Sequence, residues 1–408
     1  MNSNKIIVIK KCTWLYVLFW FSFIKPGMYY FVPKLNIYGD IYNAFQLLFS
    51  LIVISLFFIY YIDGIDEFFV VLIAYMTYLL GISIIRGTSI IDAMLFAMRI
   101  MSPCFLVCMS NKRSEIRECL NGVIIALAIS VSINALTILA YCSRGGIYPD
   151  IIMNGYYLGY DNVHIIYTLP FLVLSMFYDL YYEGRLRIIT ILLHGVIVLT
   201  VLMTKSGTSI IAIILFYLCS IMLERKGWLW ISNEWVVVLG NVCVWIYFVL
   251  WNNYTKMIRM LQRVSGKNLY DVRHRIWNRY EKIISIDGFL WGHGYLSDYQ
   301  RQIKVGIVHA HNMYLDLVYE VGLIGLAIFL LLVFLCIKNA RTTRTPYGGI
   351  IISGIISFLI AFQVEAYNKV FFVVILAFLF YFSSNKDNET IRSKEFAKKR
   401  YGVFFHIR

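Results

Sequence analysis

The sequence predicts an all-α polytopic membrane protein, on the evidence of its composition and of the length of its apolar runs. Of its 408 residues, 60% are hydrophobic and 15% are charged, against roughly 45–50% and about 25% in soluble chains. The same figures exclude disordered, fibrous and small disulfide-linked proteins. Runs of about 20 apolar residues recur along the chain, and that is the length of a helix that crosses a bilayer.

Twelve such runs are predicted to be transmembrane helices. They lie at about residues 6–24, 41–62, 68–85, 90–109, 120–140, 162–180, 188–203, 208–223, 235–251, 313–337, 349–362 and 370–383. Helices 1–9 therefore occupy residues 1–251, and helices 10–12 occupy residues 313–383. Residues 252–312 form one long loop between helices 9 and 10, and residues 384–408 form a polar tail.

The distribution of lysine and arginine predicts the orientation of these helices. With the N terminus in the cytoplasm, the cytoplasmic connections hold 20 basic residues and the short outer connections hold six. Because basic connections are retained on the cytoplasmic side, both termini are predicted to be cytoplasmic and the long loop external. This loop holds ten basic and four acidic residues. The net charge of +14 therefore suits an anionic lipid or ligand, and no basic soluble domain is present that would bind nucleic acid.

The long loop begins with an amphipathic stretch. Its apolar residues and its basic residues fall on two different helical faces: Met257, Met260, Leu261 and Val264 on one, and Lys256, Arg259 and Arg263 on the other. Such a helix lies in the plane of the lipid headgroups, either as a structural element or with its basic face on phosphate groups.

A second helical stretch follows, again with two faces. One carries Arg273, Trp277, Tyr280 and Ile284, and the other carries Arg275, Arg279 and Lys282. The planar guanidinium of arginine suits bidentate contact with phosphate, so several arginines around one pocket could hold a pyrophosphate. The segment Gly292-His293-Gly294 comes next, and its glycines indicate a tight turn or a close approach of the backbone.

Polar residues gather where the loop meets helix 10. Asn312, Asp316 and Glu320 are spaced to form one stripe, and His311 lies about 100° away from it. Such residues are costly at a membrane boundary, which favours a functional role for them. His311 is the stronger candidate, and His309 is the weaker. A zinc site built from His293, His309 and His311 would lack a fourth ligand, so no metal is expected.

The spacing of these residues resembles that of a known family. His311-Asn312, nine residues and then Gly322-x-x-Gly325 is similar to a motif of the O-antigen ligase and polymerase (Wzy/WaaL-type) superfamily. The upstream Arg273-x-x-x-Trp277 and Gly292-His293-Gly294 resemble the stretch that precedes this motif. The resemblance covers about residues 273–326, and the arrangement of twelve helices with one long external loop is also similar.

One feature of the family differs in this chain. Members usually carry a Ser-Arg pair just outside helix 7, and the corresponding segment here is Thr204-Lys205-Ser206-Gly207-Thr208. Gly207 stands at the position expected for arginine. Either Lys205 or another residue would then supply the missing charge.

The resemblance implies a bacterial inner-membrane glycosyltransferase that needs no cofactor. Its donor would be a glycan on undecaprenyl pyrophosphate, with His311 as general base and Arg273 as the main cation on the leaving pyrophosphate. The acceptor would be a second lipid-linked repeat unit in a polymerase, which we favour, or lipid A-core in a ligase. A chain-length regulator and a flippase are the implied protein partners. The further substrate-binding candidates are Lys205, Arg259, Arg263, Arg275, His309, Asn312, Tyr314, Asp316 and Glu320.

Two other classes of protein are open at the level of sequence. A lipid-oligosaccharide flippase would share the helices and the basic charge, and Arg99 with Asp92 could line its conduit or form a structural ion pair. A metal-dependent glycosyltransferase would need an external pair of acids, whereas Asp66 and Glu67 are predicted to face the cytoplasm. Glu365, in the last outer connection, is a lesser substrate candidate and is better explained as a surface charge at a helix end.

Overall fold

The computed structural model describes residues 11–62, 65–149, 154–223, 230–247, 259, 262–263, 270–306, 308–345, 347–366 and 369–384. In this part of the chain the structure is mostly helical, and an apolar helix coincides with each predicted transmembrane segment. The helices are α1 (Lys11–Phe23), α2 (Met28–Phe31), α3 (Asn36–Tyr60), α4 (Glu67–Ile85), α5 (Ile90–Lys112), α6 (Ile116–Tyr141), α7 (Ile165–Tyr178), α8 (Ile188–Thr204), α9 (Gly207–Leu223), α10 (Glu234–Trp245), α11 (Tyr270–Asp287), α12 (Asp298–Lys304), α13 (Met313–Thr342), α14 (Gly348–Ala361) and α15 (Val370–Ser383).

Six helical segments in the described part of the chain are long and apolar enough to cross a membrane. They are Pro33–Tyr60, Glu67–Ile85, Ile90–Lys112, Ile116–Arg144, Ile165–Glu183 and Met313–Thr342. Six shorter apolar helices accompany them: Thr13–Phe23, Ile188–Thr204, Gly207–Leu223, Glu234–Trp245, Gly348–Ala361 and Val370–Ser383. The protein is therefore a polytopic membrane protein, and the number of twelve crossings stays a prediction.

Helix α15 forms the centre of the bundle. All of its residues are buried, and it packs against α5, α7, α13 and α14. A helix that is apolar on every side suits either lipid or a surrounding of other helices, and the contacts with these four helices place α15 in the middle.

Contacts between distant connections define the two ends of the bundle. At one end, which we call the site end, the Nε of Arg86 donates to the carbonyl of Gly292 at 3.0 Å, and the segment that follows α14 meets the start of α13. At the opposite end, Arg341 forms two hydrogen bonds with Glu234, at 2.6 and 2.7 Å. Each of these contacts joins connections that the charge distribution assigns to the same side of the membrane.

A small β-sheet lies at the site end, between α6 and α7. Its strands β1 (Tyr148–Pro149), β2 (Asn154–Tyr156) and β3 (Gly159–Tyr160) pair antiparallel in the order β1-β2-β3. The sequence predicted an all-α protein and did not predict this sheet, because its strands are only two or three residues long. The turn into α7 presents Asn162 to the site described below.

The orientation of the bundle gives a prediction that reporter fusions can test. Fusions after residues 113, 226 and 342 are expected to report the cytoplasm, and fusions near residues 150 and 285 the exterior. Alkaline phosphatase and green fluorescent protein fusions measure the two locations. A cytoplasmic signal at residue 285 would contradict an external site, since it would put the whole site end in the cytoplasm.

Candidate active site

The start of α13 is fixed by Asn312. The Oδ1 of Asn312 accepts hydrogen bonds from the backbone N–H groups of Tyr314 and Leu315, at 3.0 and 3.1 Å. Its Nδ2 donates to the carbonyl of Gln363 at 2.8 Å, and the N–H of Met313 donates to the carbonyl of Phe362, also at 2.8 Å. The asparagine thus caps the helix and ties it to the segment that follows α14.

His311 precedes this cap in a strained conformation. Its φ is +49°, in the left-handed region that non-glycine residues seldom occupy. Its Nδ1 lies 3.0 Å from the Oε2 of Glu365, and 27% of its side chain is exposed. Strain of this kind is concentrated at functional sites, where the surrounding structure maintains it.

Glu365 is not the surface charge that its position in the sequence suggests. It is 3% exposed, and its Oε1 accepts a hydrogen bond from the Nδ2 of Asn162 at 3.1 Å. Asn162 and Glu365 come from two connections far apart in sequence. Together they hold one nitrogen of His311 and leave the side chain open to the outside of the bundle.

Trp277 holds the residue before His311. It is wholly buried on α11, and its Nε1 donates to the carbonyl of Ala310 at 2.7 Å. The N–H of Ala310 donates to the Oδ1 of Asp316 at 3.1 Å. The predicted apolar stripe on this helix is confirmed for Trp277, Tyr280 and Ile284, which are all buried. The tryptophan of the Arg-x-x-x-Trp segment thus binds the backbone of the residue that precedes His311.

Arg301, which the sequence did not single out, lies beneath these residues. This buried guanidinium on α12 donates to Asp316 at 3.0 Å and to Glu320. Glu320 also accepts from the Nζ of Lys369 at 2.9 Å. Burial acts to lower the pKa of Arg301, but Glu320 and Asp316 outweigh that effect and raise the pKa above its ordinary value. Two cations and two carboxylates thus form one buried network.

The glycines of the two motifs bring the backbone of the loop against α13. Gly322 has φ +64° and ψ −173°, so it interrupts the helix. At this break the N–H groups of His293 and Gly294 donate to the carbonyls of Tyr319 and Glu320, at 2.8 and 2.9 Å. The small residues Gly322 and Gly325 on helix 10 predict close packing against a neighbouring helix. For Gly322 this prediction is wrong, because the backbone of Leu290 and Trp291 in the loop occupies that place. A Cβ on Gly325 would lie 3.3 Å from Tyr78 of α4, as the prediction of helix packing requires.

The end of α4 supports the same loop from the other side. Tyr78 donates to the carbonyl of Trp291 at 3.0 Å, and the N–H of Tyr295 donates to the Oγ of Ser83 at the same distance. Together with the contact between Arg86 and Gly292, these bonds hold the loop between α4 and α13. The close backbone approach predicted for Gly292-His293-Gly294 is therefore observed.

We expect Gly292→Ala to displace this loop. Gly292 has φ +88°, and a Cβ on it would lie 2.5 Å from the carbonyl oxygen of Glu320. The substitution should cost at least about 1–3 kcal/mol and most of the activity, because both the backbone conformation and the contact oppose it. Thermal unfolding and an activity assay would measure the effect. Gly195→Ala is the control, since nothing lies within 4 Å of its Cβ position; equal behaviour of the two variants would contradict the prediction.

The predicted basic residues are placed less completely. Arg259, Arg263 and Arg275 are exposed, as a surface that meets phosphate requires. Arg273 lies on α11, but its side chain is outside the described residues, as is most of the amphipathic stretch at 256–264. Lys205 is exposed at the end of α8, with φ +52°. Because α9 packs antiparallel against α14, Lys205 lies at the same end of the bundle as Glu365.

Four predicted substrate-binding residues already have protein partners. Asn312, Tyr314, Asp316 and Glu320 are buried; the hydroxyl of Tyr314 donates to the carbonyl of Leu359 at 3.0 Å and accepts from Asn241 at 2.6 Å. Their bonds argue for positioning the histidine and against direct contact with substrate.

The surroundings of His309 favour its neutral form. Burial lowers the pKa of His309, against the opposing effect of Asp316 and Asp298. His309 is therefore neutral at neutral pH. Within the described ranges, no group of three His, Cys, Asp or Glu side chains is arranged to hold a metal ion.

The comparison with protein families adds a finding to this geometry. Residues 189–330 match the family model described as O-antigen ligase. The matched segment is about a third of the chain, and it is this segment that is similar to the family. The match confirms the resemblance to the Wzy/WaaL-type superfamily, whose members are membrane glycosyltransferase-like enzymes. No curated protein matches the chain in a sequence comparison.

The segment that matches the family model includes part of the site and leaves part of it outside. His311, Arg301 and Trp277 lie within the matched residues, and Asn162, Glu365 and Lys369 lie beyond them. The histidine and its buried carboxylate partner thus come from different parts of the chain, joined only by the fold.

Proposed function

We propose that this protein transfers a glycan from undecaprenyl pyrophosphate to a hydroxyl group of an acceptor, at the external face of the bacterial inner membrane. The observation that carries the proposal is the pair formed by His311 and Glu365. A partly exposed imidazole, bound through Nδ1 to a buried carboxylate, is arranged as a general base.

The hydrogen-bond partner of His311 decides which nitrogen acts. A carboxylate only accepts hydrogen bonds, so the proton of the neutral imidazole lies on Nδ1. The lone pair of Nε2 is then available to take the proton of the acceptor hydroxyl. The acceptor oxygen attacks the anomeric carbon of the donor sugar, the bond from that carbon to the pyrophosphate oxygen breaks, and undecaprenyl pyrophosphate leaves as an anion.

The leaving group calls for cations and not for a proton donor, because pyrophosphate is already a stable anion. We assign this role to Arg273 and to the exposed Arg259, Arg263 and Arg275 of the long loop, together with the exposed Lys205 at the end of α8. No step of this mechanism requires a metal ion.

The acceptor separates the two activities of the superfamily. We favour a polymerase, which extends a second lipid-linked repeat unit, because residues 1–188 lie outside the segment that matches the O-antigen ligase model. The test is to incubate the purified protein with undecaprenyl-pyrophosphate repeat units, with and without lipid A-core. A ladder of lipid-linked oligomers without lipid A-core supports the polymerase, and a product formed only with lipid A-core supports the ligase. If the protein binds the donor but forms neither product, that result would contradict glycosyl transfer.

Glu365→Gln tests the proposed pairing. A glutamine amide can donate to Nδ1 of His311 and so favour the tautomer with its proton on Nε2, which cannot act as a base. We expect kcat to fall by at least about tenfold, without exceeding the loss caused by His311→Ala, while KM changes little. Steady-state kinetics measure both constants. Glu183→Gln, at an exposed ion pair of the opposite end, is the control; equal kcat values for the two variants would remove Glu365 from the mechanism.

A further inference from the structure

Two basic side chains lie together at the site end, beneath the loop that carries His311. Lys25 follows α1, and its Nζ lies 4.3 Å from the ring centre of Tyr30. Arg99 lies on α5 and interacts electrostatically with Lys25, with Tyr30 and with Tyr295 of the long loop. All three neighbours belong to the site end. The guanidinium of Arg99 is therefore directed towards that end of its helix.

The charges of this pair are incompletely balanced. Neither Lys25 nor Arg99 forms an ion pair with a residue that the structure describes. Asp92, which the sequence suggests as a partner of Arg99, therefore does not form an ion pair with it. Burial and the charge of Arg99 lower the pKa of Lys25 to about 8, against the attraction of Asp298. Two half-buried cations that lie close together repel each other, and a bound anion would offset that repulsion.

The pair is continuous with the site. Phe96 lies one helical turn before Arg99 on α5, and its ring stacks on that of Tyr295 at 4.9 Å. The Nζ of Lys369 lies 5.2 Å from the centre of the Phe96 ring, and Lys369 also donates to Glu320 of the buried network. A ligand held by Lys25 and Arg99 would therefore lie beside the residues that position His311.

The pair also borders a helix that faces lipid. The hydroxyl of Tyr30 donates to the carbonyl of Gly39 at 3.1 Å, on α3. Only five of the 25 residues of α3 are buried, so most of its apolar surface is open to lipid. A hydrocarbon chain lying along α3 could place a charged headgroup at the pair.

We propose that Lys25 and Arg99 bind the pyrophosphate of a polyprenyl-linked substrate, in a site separate from the arginines of the long loop. The inference rests on the proposed function, which requires two lipid-linked substrates to meet at one site. A diphosphate supplies the charge that the pair lacks, and the adjoining lipid-facing helix accounts for the hydrocarbon chain. An anionic phospholipid headgroup has related chemistry, but it gives no reason for the continuity with the buried network.

Direct binding tests this site without relying on turnover. The protein is placed in nanodiscs of phosphatidylcholine, and the dissociation constant of undecaprenyl pyrophosphate is measured for the parent, Arg99→Gln and Lys25→Gln. We expect the parent to show two binding events and each variant to weaken one of them about tenfold, since each variant loses one charge-assisted contact at the pair. Arg99→Lys should retain part of the affinity. Arg144→Gln, which alters an exposed arginine elsewhere at the site end, should bind as the parent does.

The outcomes separate this inference from the proposed function. Parental affinity in both Arg99→Gln and Lys25→Gln would overturn the inference and leave glycosyl transfer intact, whereas no binding by the parent would overturn both. In nanodiscs that contain phosphatidylglycerol, the parent should keep its affinity for undecaprenyl pyrophosphate. If phosphatidylglycerol instead lowers the parent's affinity to that of the variants, the pair binds phospholipid headgroups. His311→Ala should bind as the parent does, because the histidine does not contact the pyrophosphate.

Discussion

Replacing His311 with alanine is expected to reduce glycosyl transfer by about 10²-fold or more, while the protein still inserts and folds. A positioned general base contributes about 10²–10⁴ to a rate, and the lone pair of Nε2 is the feature that the substitution removes. The partners of His311 do not depend on it for their own position, since Asn312 caps α13 and Glu365 is also bound by Asn162. Extension of purified undecaprenyl-pyrophosphate repeat units measures the loss.

The strained backbone of His311 calls for a second variant. Asparagine tolerates φ values near +49° better than alanine does, and it offers no base. His311→Asn should therefore lose as much activity as His311→Ala with a smaller effect on stability. His309→Ala should be milder, because His309 lacks the carboxylate pairing observed for His311. Near-parental extension by both His311 variants would show that this residue is only part of a helix start.

The positions of the helices could be predicted from the sequence because a helix in lipid requires a continuous run of apolar residues. The run at residues 370–382 is apolar throughout, and this composition distinguishes it from a connection. The same holds for the start of α13, where Asn312 is a helix cap that the residue type itself favours. These features depend on neighbours in sequence, and so they can be recognised without the fold.

The partners of His311 leave no such record. Glu365 is 54 residues away from His311, and Asn162 is 203 residues away from Glu365. Contacts over such distances depend on how α7, α13, α14 and α15 pack, and the sequence does not show that packing. From the sequence alone, Glu365 in a short outer connection is therefore interpreted as a surface charge. The prediction for Gly322 was wrong for a related reason. Small residues favour the close approach of another segment, but the sequence does not show whether that segment is a helix or a loop.

Arg301→Met is expected to be the most destabilising of the substitutions considered. It would leave Asp316 and Glu320 buried with Lys369 as their remaining described cation. Removing one partner from a buried ion pair typically costs about 3–5 kcal/mol, because the remaining charge has lost its compensation. Since Asp316 also accepts from the N–H of Ala310, the loss should reach His311 and reduce activity as well.

Two measurements and two matched variants make the role of Arg301 testable. Thermal unfolding in detergent should show the loss of stability, and hydrogen exchange should show faster opening of residues 288–312 even if the transmembrane helices persist. Arg301→Lys keeps one charge without the fork that reaches both carboxylates, so its stability should be intermediate. Lys304→Met removes an exposed charge one turn further along α12 and should stay within about 0.5 kcal/mol of the parent. Parental exchange rates in Arg301→Met would mean that Trp277, the Asn312 cap and the glycine contacts hold His311 in place by themselves.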